Sequence, residues 1–237
     1  MRKPGQLHRL LNYYGINLIN IPKGFMKKHL LVFMFLIVCF YNGIAQNPKI
    51  ISDCTVVYEV SVDESKADPQ VVKAMAGATK ILYIKGSKTR SELISPNFQQ
   101  AVIYDSKTDS TIVLREFRNS KYISFLSEDK RNEKNKKFEG ATFTNTNETK
   151  TILGYECKKV VATLKDGSTY TMYYTPTIIP STRDYEYQFK DIAGFVLEYE
   201  AETENGKSKI KYTATKITLT PVAGVKFDVP KSGYRVL

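Results

Sequence analysis

Apolar and polar residues alternate in short runs along most of the chain from residue 55 onwards. The run 195–202 is typical, because its odd positions are apolar or aromatic and its even positions are mainly glutamate: Phe195, Leu197, Tyr199 and Ala201 against Val196, Glu198, Glu200 and Glu202. A period of two places successive side chains on opposite faces of an extended chain. The runs therefore predict strands with one buried and one solvated face, the pattern of an antiparallel sheet.

Turn residues between the runs predict hairpins. Asp166-Gly167 follows the run 158–164, and Asn205-Gly206 follows the run 195–202. Both dipeptides favour a type I′ turn, in which the two central residues have positive φ. About ten strands in sequence order then predict a mainly β fold: a single antiparallel up-and-down sheet, curled into a half barrel because flat open sheets of that width are unusual.

One short helix is predicted at about 69–78, as a partial lid on the curved sheet. Asp68 can cap its N-terminus, and Pro69 suits the first helical position. The charged segment 128–137 is interpreted instead as a mobile loop between strands. Contact of this loop with an anionic lipid or polysaccharide surface is the alternative.

The N-terminal region has the layout of a secretory signal peptide. Met26-Lys27-Lys28-His29 precedes twelve uncharged apolar or aromatic residues at 30–41, and Gly43-Ile44-Ala45 provides a cleavage site. An apolar run of this length is too short to span a bilayer core, which needs roughly 20 residues. We therefore predict an N-terminal signal helix, a signal peptide at 26–45 and a single mature domain at 46–237. Residues 1–25 are interpreted as an upstream extension, with a long positively charged region as the alternative.

Removal of residues 1–45 changes the composition. Six of the 35 lysines and arginines and none of the 24 acidic residues lie there, which leaves a net charge of +5 instead of +11. Nucleic acid is therefore not a predicted partner. His8 and His29 also leave, and with them histidine-dependent catalysis and the commonest metal ligand. We predict no catalytic residues, no metal and no cofactor.

The acidic residues at 105–116 have part of the spacing of a calcium-binding loop. Asp105, Asp109 and Glu116 occupy positions 1, 5 and 12 of an EF-hand-like loop, but Lys107 stands at a ligand position and Ser110 where the sharp turn requires glycine. We interpret the segment as a hairpin turn.

Two cysteines remain in the mature chain, Cys54 and Cys157. In an exported protein they could form one disulfide, which would close a loop of about 100 residues and stabilise the fold by up to roughly 4–5 kcal/mol. The alternative is a pair of buried thiols on strands.

Apolar and tyrosine side chains define the candidate binding surface. A curved sheet has a concave face that its own side chains, a helix or a ligand must fill. The predicted ligand-binding residues share one apolar face of the strands: Tyr58, Val60, Met172, Tyr174, Phe195, Leu197 and Tyr199. The alternative is that these side chains serve only sheet packing.

Three segments in residues 150–237 resemble known families. They contain Ile152-Leu153-Gly154-Tyr155-Glu156-Cys157, Ile192-Ala193-Gly194-Phe195-Val196 and Phe227-Asp228-Val229-Pro230. The first resembles a segment of exported, largely uncharacterised Bacteroidetes proteins, and the second resembles the segment that gives the GLPGLI family its name. The last resembles the C-terminal ending of these proteins and of lipoprotein-sorting proteins. The resemblance implies a fold similar to the LolA and LolB lipoprotein carriers, an incomplete antiparallel barrel with an apolar concave face and a helical lid.

These observations favour a binding or carrier protein that is not an enzyme. Its predicted location is the periplasm or outer membrane, with secretion as a further destination. Its predicted partners are a lipid or a lipoprotein acyl chain and a protein of the envelope. The alternatives are a structural or protein-interaction module with a self-packed sheet, and an envelope hydrolase.

Overall fold

The computed structural model describes residues 48–203 and 208–237. The predicted upstream extension, signal peptide and signal helix lie outside these residues, as does the Asn205-Gly206 turn. Strands dominate the described chain, so the mainly β prediction is confirmed. Their bounds are β1 Lys49–Ile51, β2 Asp53–Val62, β3 Thr79–Lys85, β4 Lys88–Ser95, β5 Phe98–Asp105, β6 Ser110–Phe117, β7 Ser120–Leu126, β8 Thr142–Ile152, β9 Tyr155–Thr163, β10 Thr169–Thr175, β11 Ile178–Pro180, β12 Phe195–Glu202, β13 Lys209–Thr218 and β14 Arg235–Val236.

Twelve of these strands form one sheet in the order β14-β7-β6-β5-β4-β3-β2-β13-β12-β10-β9-β8. The sheet contains two meanders, the first formed by β2 to β7 and the second by β8, β9, β10, β12 and β13. They are joined in the middle, where β2 pairs with β13. The prediction of a simple up-and-down order is therefore wrong, because the first long strand is central and not at an edge. Among the described strands, β14 and β8 form the two ends of the sheet without pairing with each other, so the sheet is open.

The sheet is also not purely antiparallel, which corrects a second part of the prediction. β14 pairs with β7 in parallel, and β1 and β11 form a separate parallel pair. Each of these pairs includes a strand of only two or three residues. Such a strand is too short to show a period of two, so the sequence pattern did not reveal it.

The hairpin predicted at Asp166-Gly167 is present, and β9 pairs with β10 across it. Only the glycine of the dipeptide has a positive φ, 86°. The turn is therefore not type I′, and its loop is closed by a hydrogen bond from the Gly167 amide to the Leu164 carbonyl at 3.0 Å.

Two short helices occur in the described residues, α1 at Pro69–Met75 and α2 at Glu128–Asn135. The predicted capping of α1 is confirmed, because the Asp68 carboxylate accepts a hydrogen bond from the Gln70 amide at 2.8 Å. The prediction of a single helix and a mobile charged loop is wrong, since α2 lies within that loop. Ser127 caps α2, and its first turn carries Glu128 and Asp129 at the positive end of the helix dipole.

Two separate segments cover the two faces of the sheet. Residues 219–237, which we call the C-terminal segment, pack Val222 and Phe227 onto one face of the first meander, against Tyr83, Ile103 and Leu114. The opposite face continues into the main core, which is built from β2, β3, β9, β10, β12 and β13 together with residues 181–194. We call residues 181–194 the cover segment.

The structure contains Cys54 and Cys157 as free, buried thiols. They lie on β2 and β9, which are separated by three strands, so roughly 19 Å of sheet lies between them at the usual strand spacing. Burial raises the pKa of Cys54 to about 12 and that of Cys157 to about 11. The structure therefore matches the second alternative, two thiols buried on strands.

Both cysteines should resist alkylation in the folded protein. Their raised pKa values reduce the thiolate fraction about 100-fold or more at a given pH, and burial adds a steric barrier. We expect peptide mapping after iodoacetamide treatment at pH 8 to find Cys54 and Cys157 unmodified without denaturant and fully modified in urea. Omission of a reductant should not change the result in urea. Protection in urea that disappears on reduction would instead show a Cys54–Cys157 disulfide.

A single carboxylate connects the C-terminal segment to β2. Asp53 Oδ1 accepts a hydrogen bond from the Val222 amide at 3.0 Å and lies 3.2 Å from Lys85 Nζ. The hydrogen bond from Val222 is the main reason that the pKa of Asp53 is lowered, and Lys85 lowers it further. Because the folded pKa is lower than the unfolded one, the ionised carboxylate stabilises the fold above about pH 4. This contribution is lost as the pH falls through the folded value.

We expect Asp53→Asn to lower the free energy of unfolding by about 0.5–1 kcal/mol at pH 7, because the carboxylate is partly exposed and its ion pair is screened. The difference from the unmodified protein should shrink as the pH falls below 4, as measured by urea unfolding at several pH values. Asp228→Asn, at an exposed position of the same segment, is the control and should have little effect. A difference that stays constant down to pH 3 would contradict this role for the charge.

Candidate functional site

The seven predicted ligand-binding residues come together in the main core. Each of them is 8% exposed or less, and they lie on three strands: Tyr58 and Val60 on β2, Met172 and Tyr174 on β10, and Phe195, Leu197 and Tyr199 on β12. Met172 is directly opposite Tyr199 in the sheet, and the Tyr58 and Tyr199 rings meet edge to face. The sequence pattern therefore identified one continuous buried surface.

The cover segment fills that surface with its own aromatic side chains. The Tyr185 ring stacks on Phe195 with 5.0 Å between centroids, and the Phe189 ring meets the Tyr199 ring edge-on at 4.9 Å. The Tyr185 hydroxyl also accepts a hydrogen bond from the Val196 amide at 3.0 Å. In this structure the apolar surface is packed against the protein itself.

Gly194, the last residue of the cover segment before β12, lies against the backbone of β10. A Cβ atom at this position would lie 2.3 Å from the Thr175 carbonyl oxygen and 2.7 Å from the Tyr174 ring. No side chain fits there, so the chain can approach β10 only with glycine at this position. Next to it, Tyr174 borders a small cavity of about 80 Å³ and donates a hydrogen bond to Asn145 Oδ1 at 3.2 Å.

A larger cavity of about 250 Å³ lies between the first meander and the elements above it. Its floor is formed by side chains of β3 to β6: Lys80, Thr89, Ser91, Val102, Tyr104 and Thr111. Its roof comes from α2 and from the cover segment: Arg131, Asn135, Asp184, Tyr185, Glu186 and Tyr187. We call it the polar cavity. Within the described chain, α2 and the cover segment lie over this cavity, whereas α1, the predicted lid, packs Met75 against the main core.

The strand register explains how the floor is assembled. Thr89, Tyr104 and Thr111 are direct neighbours across β4, β5 and β6, and Ser91 is opposite Val102 one row away. Directly opposite residues of antiparallel strands point to the same face. On this face of the sheet, the first meander therefore carries the hydroxyl groups of Thr89, Ser91 and Thr111, whereas the second meander carries apolar side chains.

Lys80 joins the floor to the cover segment. It is 9% exposed, forms an ion pair with Glu186, and lies 5.1 Å from the centroids of both the Tyr199 and Tyr212 rings. Its ammonium group donates a hydrogen bond to the Tyr199 hydroxyl and pairs with the Glu186 carboxylate, and these contacts compensate for part of its lost hydration. Lys80 marks the boundary between the apolar core and the polar cavity.

A second polar cluster fixes α2 to the opposite side of the cavity. Arg131 forms an ion pair with Asp109, and its guanidinium carbon lies 4.8 Å from the centroid of the Tyr104 ring. The Tyr104 hydroxyl lies 2.9 Å from Asp184 Oδ2, to which it can donate. Burial, followed by the hydrogen bond to Asp184, raises the pKa of Tyr104 to about 12. This phenol therefore stays a neutral donor at physiological pH.

The acidic residues at 105–116 are engaged within the protein. Asp105 Oδ1 accepts hydrogen bonds from the Lys107 amide at 3.0 Å and from the Ser87 hydroxyl at 2.9 Å, while Asp109 pairs with Arg131. The segment forms the β5–β6 hairpin, as predicted. Across residues 48–203 and 208–237, no group of three metal-binding side chains occurs, and no helix is long and apolar enough to cross a membrane.

Sequence reasoning missed most residues of the polar cavity. One signal was present in the sequence. Thr89, Ser91 and Thr111 are hydroxyl residues at alternate strand positions that point toward the core face of the sheet. Arg131 gave no signal, because it lies in a segment in which nearly every residue is charged or polar.

Several solved structures are similar to this chain, all with TM-scores below 0.5. A structure of PNGF-II has 18% identity and a TM-score of 0.44 over 78% of this chain and 30% of that one, so the chain spans about a third of that protein. An uncharacterised conserved protein from Thermus thermophilus has 11% identity and a TM-score of 0.44, over 78% and 90% of the two chains. A structure described as a putative outer membrane lipoprotein-sorting protein domain, from Vibrio parahaemolyticus, has 8% identity and a TM-score of 0.21, over 75% and 89%.

At the level of sequence, the chain is similar to a family of unknown function. No curated protein matches the chain. A family model described as "Domain of unknown function (DUF4412)" matches residues 70–183. The predicted resemblance to the GLPGLI family stays a prediction. The part of the chain similar to DUF4412 runs from α1 to the start of the cover segment and includes the whole floor of the polar cavity.

Proposed function

We propose that this chain is a binding or carrier protein of the cell envelope that has no catalytic activity and holds an amphipathic ligand with an acyl-type apolar part. The polar cavity is the observation that carries the proposal. It lies between the sheet and two covering elements, and it combines apolar with polar lining. Such a combination is typical of small-molecule sites.

The side chains that line the polar cavity suit an amphipathic ligand better than a purely polar one. Val102 and the rings of Tyr104, Tyr185 and Tyr187 supply apolar surface, while Thr89 and Ser91 supply hydroxyl groups. A cavity of about 150 Å³ is large enough for benzene, so one of 250 Å³ accommodates a short acyl segment. The remainder of a longer chain would lie outside it.

The buried apolar surface has a second role in this proposal. Phe195 and Tyr199 are covered by Tyr185 and Phe189, and the same cover segment forms part of the cavity roof. A ligand that displaced the cover segment would reach the seven residues predicted from the sequence. Export by the predicted signal peptide would deliver such a carrier to the envelope, where lipids and lipoprotein acyl chains are available.

A structural or protein-interaction module is the second candidate. The tight packing of the main core favours it, because Phe195, Val196 and Leu197 are fully buried by the protein itself. In that case a partner protein would bind elsewhere, and the polar cavity would hold only water.

The proposal predicts that filling the cavity abolishes ligand binding. Val102→Trp places a large ring on the cavity floor, whereas Val225→Trp makes the same change at a position that is 69% exposed. We expect calorimetric titration with 1-monooctanoylglycerol to show binding to the unmodified protein and to Val225→Trp, and at least about 10-fold weaker binding to Val102→Trp.

Circular dichroism should confirm that both variants fold. Mass spectrometry of organic extracts from protein isolated from an envelope should also detect a bound acyl compound. Absence of binding in the titration together with an extract free of lipid would contradict the carrier proposal and favour the interaction module.

A further inference from the structure

Two buried polar atoms in the polar cavity have no hydrogen-bond partner in the protein. They are Thr111 Oγ1 and Arg131 Nε, and in the described residues only one other buried side-chain nitrogen or oxygen, the Tyr170 hydroxyl, shares this condition. Thr111 is only 6% exposed and stands in the cavity floor. Buried polar groups are nearly always hydrogen-bonded, so an unpartnered pair in one cavity indicates a bound group.

Tyr104 neighbours both residues, Thr111 in the floor of the cavity and Arg131 in its roof. Thr111 is directly opposite Tyr104 across β5 and β6, and the Arg131 guanidinium lies over the Tyr104 ring. The ion pair between Arg131 Nη2 and Asp109 fixes the guanidinium, so Nε keeps its N–H as a donor. The Thr111 hydroxyl can rotate, so it also has a donor available.

The charges around the cavity determine what kind of acceptor suits these donors. Lys80 and Arg131 contribute two positive charges, and Asp184 and Glu186 contribute two negative ones. Asp109 adds a third negative charge next to Arg131. An anionic ligand would therefore meet no net positive field and would face carboxylates on the roof. A neutral oxygen with two lone pairs avoids this repulsion.

We infer that the polar cavity recognises an uncharged carbonyl oxygen, as in an ester or amide, which accepts hydrogen bonds from Arg131 Nε and the Thr111 hydroxyl. The acyl chain attached to that carbonyl lies against Val102 and the Tyr104 ring. This inference rests on the proposed function and specifies its ligand class: an acyl ester or acyl amide, and not a free fatty acid.

The test compares two ligands that share one acyl chain. N-methyloctanamide carries a neutral carbonyl group, and octanoate carries a carboxylate. Calorimetric titration at pH 7.5 should show that the amide binds at least about 10-fold more tightly than octanoate. Thr111→Val and Arg131→Lys each remove one donor, and each should weaken amide binding about 10-fold. Thr144→Val, at an exposed position, and Arg118→Lys are the matched controls and should leave amide binding unchanged.

Thermal unfolding separates ligand recognition from a structural role. Because the Thr111 hydroxyl has no partner in the ligand-free protein, Thr111→Val should keep or raise the midpoint of unfolding without ligand. It should also reduce the increase in that midpoint caused by N-methyloctanamide.

Three results would overturn the inference in distinguishable ways. Tighter binding of octanoate would show that the site selects an anion, and the carrier proposal would stand. Amide binding that is unaffected in both Thr111→Val and Arg131→Lys would show that water alone satisfies these atoms. Absence of binding by both ligands, together with no binding of 1-monooctanoylglycerol, would remove the proposed function as well.

Discussion

The antiparallel pairing of β2 with β13 makes one sheet out of two meanders. The pair extends from Val62 opposite Ile210 to Thr55 opposite Thr218, with an irregularity between Ala214 and Lys216. It joins the first and last long strands of the chain, so every other strand of this sheet except the short β14 lies between the two in sequence. The cover segment contacts Tyr199 on β12 and Lys80 on β3, and this pair makes those two strands parts of one surface. The polar cavity therefore depends on a contact between residues about 150 positions apart.

The two covering segments differ in chemistry. The C-terminal segment packs Val222 and Phe227 against an apolar face, and the Asp53 and Glu116 carboxylates accept hydrogen bonds from it. The cover segment is apolar at Tyr185 and Phe189 but acidic at Asp184 and Glu186, where it meets Tyr104 and Lys80. A buried ion pair stabilises a fold less than apolar packing of the same volume, because desolvation offsets the attraction. The polar contacts of Asp184 and Glu186 thus place polar groups next to the apolar core, so a ligand with one apolar and one polar end can lie along this boundary.

Local sequence patterns predicted the elements whose stability is local. Asp68 and Pro69 predicted α1 correctly, because capping and a fixed φ act within one helical turn. Asp166-Gly167 marked the β9–β10 hairpin, although only Gly167 adopts positive φ. α2 was missed because it has no apolar stripe, and Arg131 attaches it through Asp109 and the ring of Tyr104. Those partners come from β5 and the β5–β6 turn, and a pattern confined to residues 128–135 does not contain them.

The sequence by itself determined most of the long strands and the apolar face that each of these strands buries. Tyr58, Met172 and Leu197 are in the core as the alternation requires, because a period of two reports burial directly. Only the tertiary structure decided what lies against that face: aromatic side chains of the cover segment over the second meander, and a cavity over the first. It also decided the parallel pairs of β7 with β14 and of β1 with β11. The physical reason is that apolar burial has no direction of its own, so alternation identifies a surface that must be covered but not the distant segment that covers it.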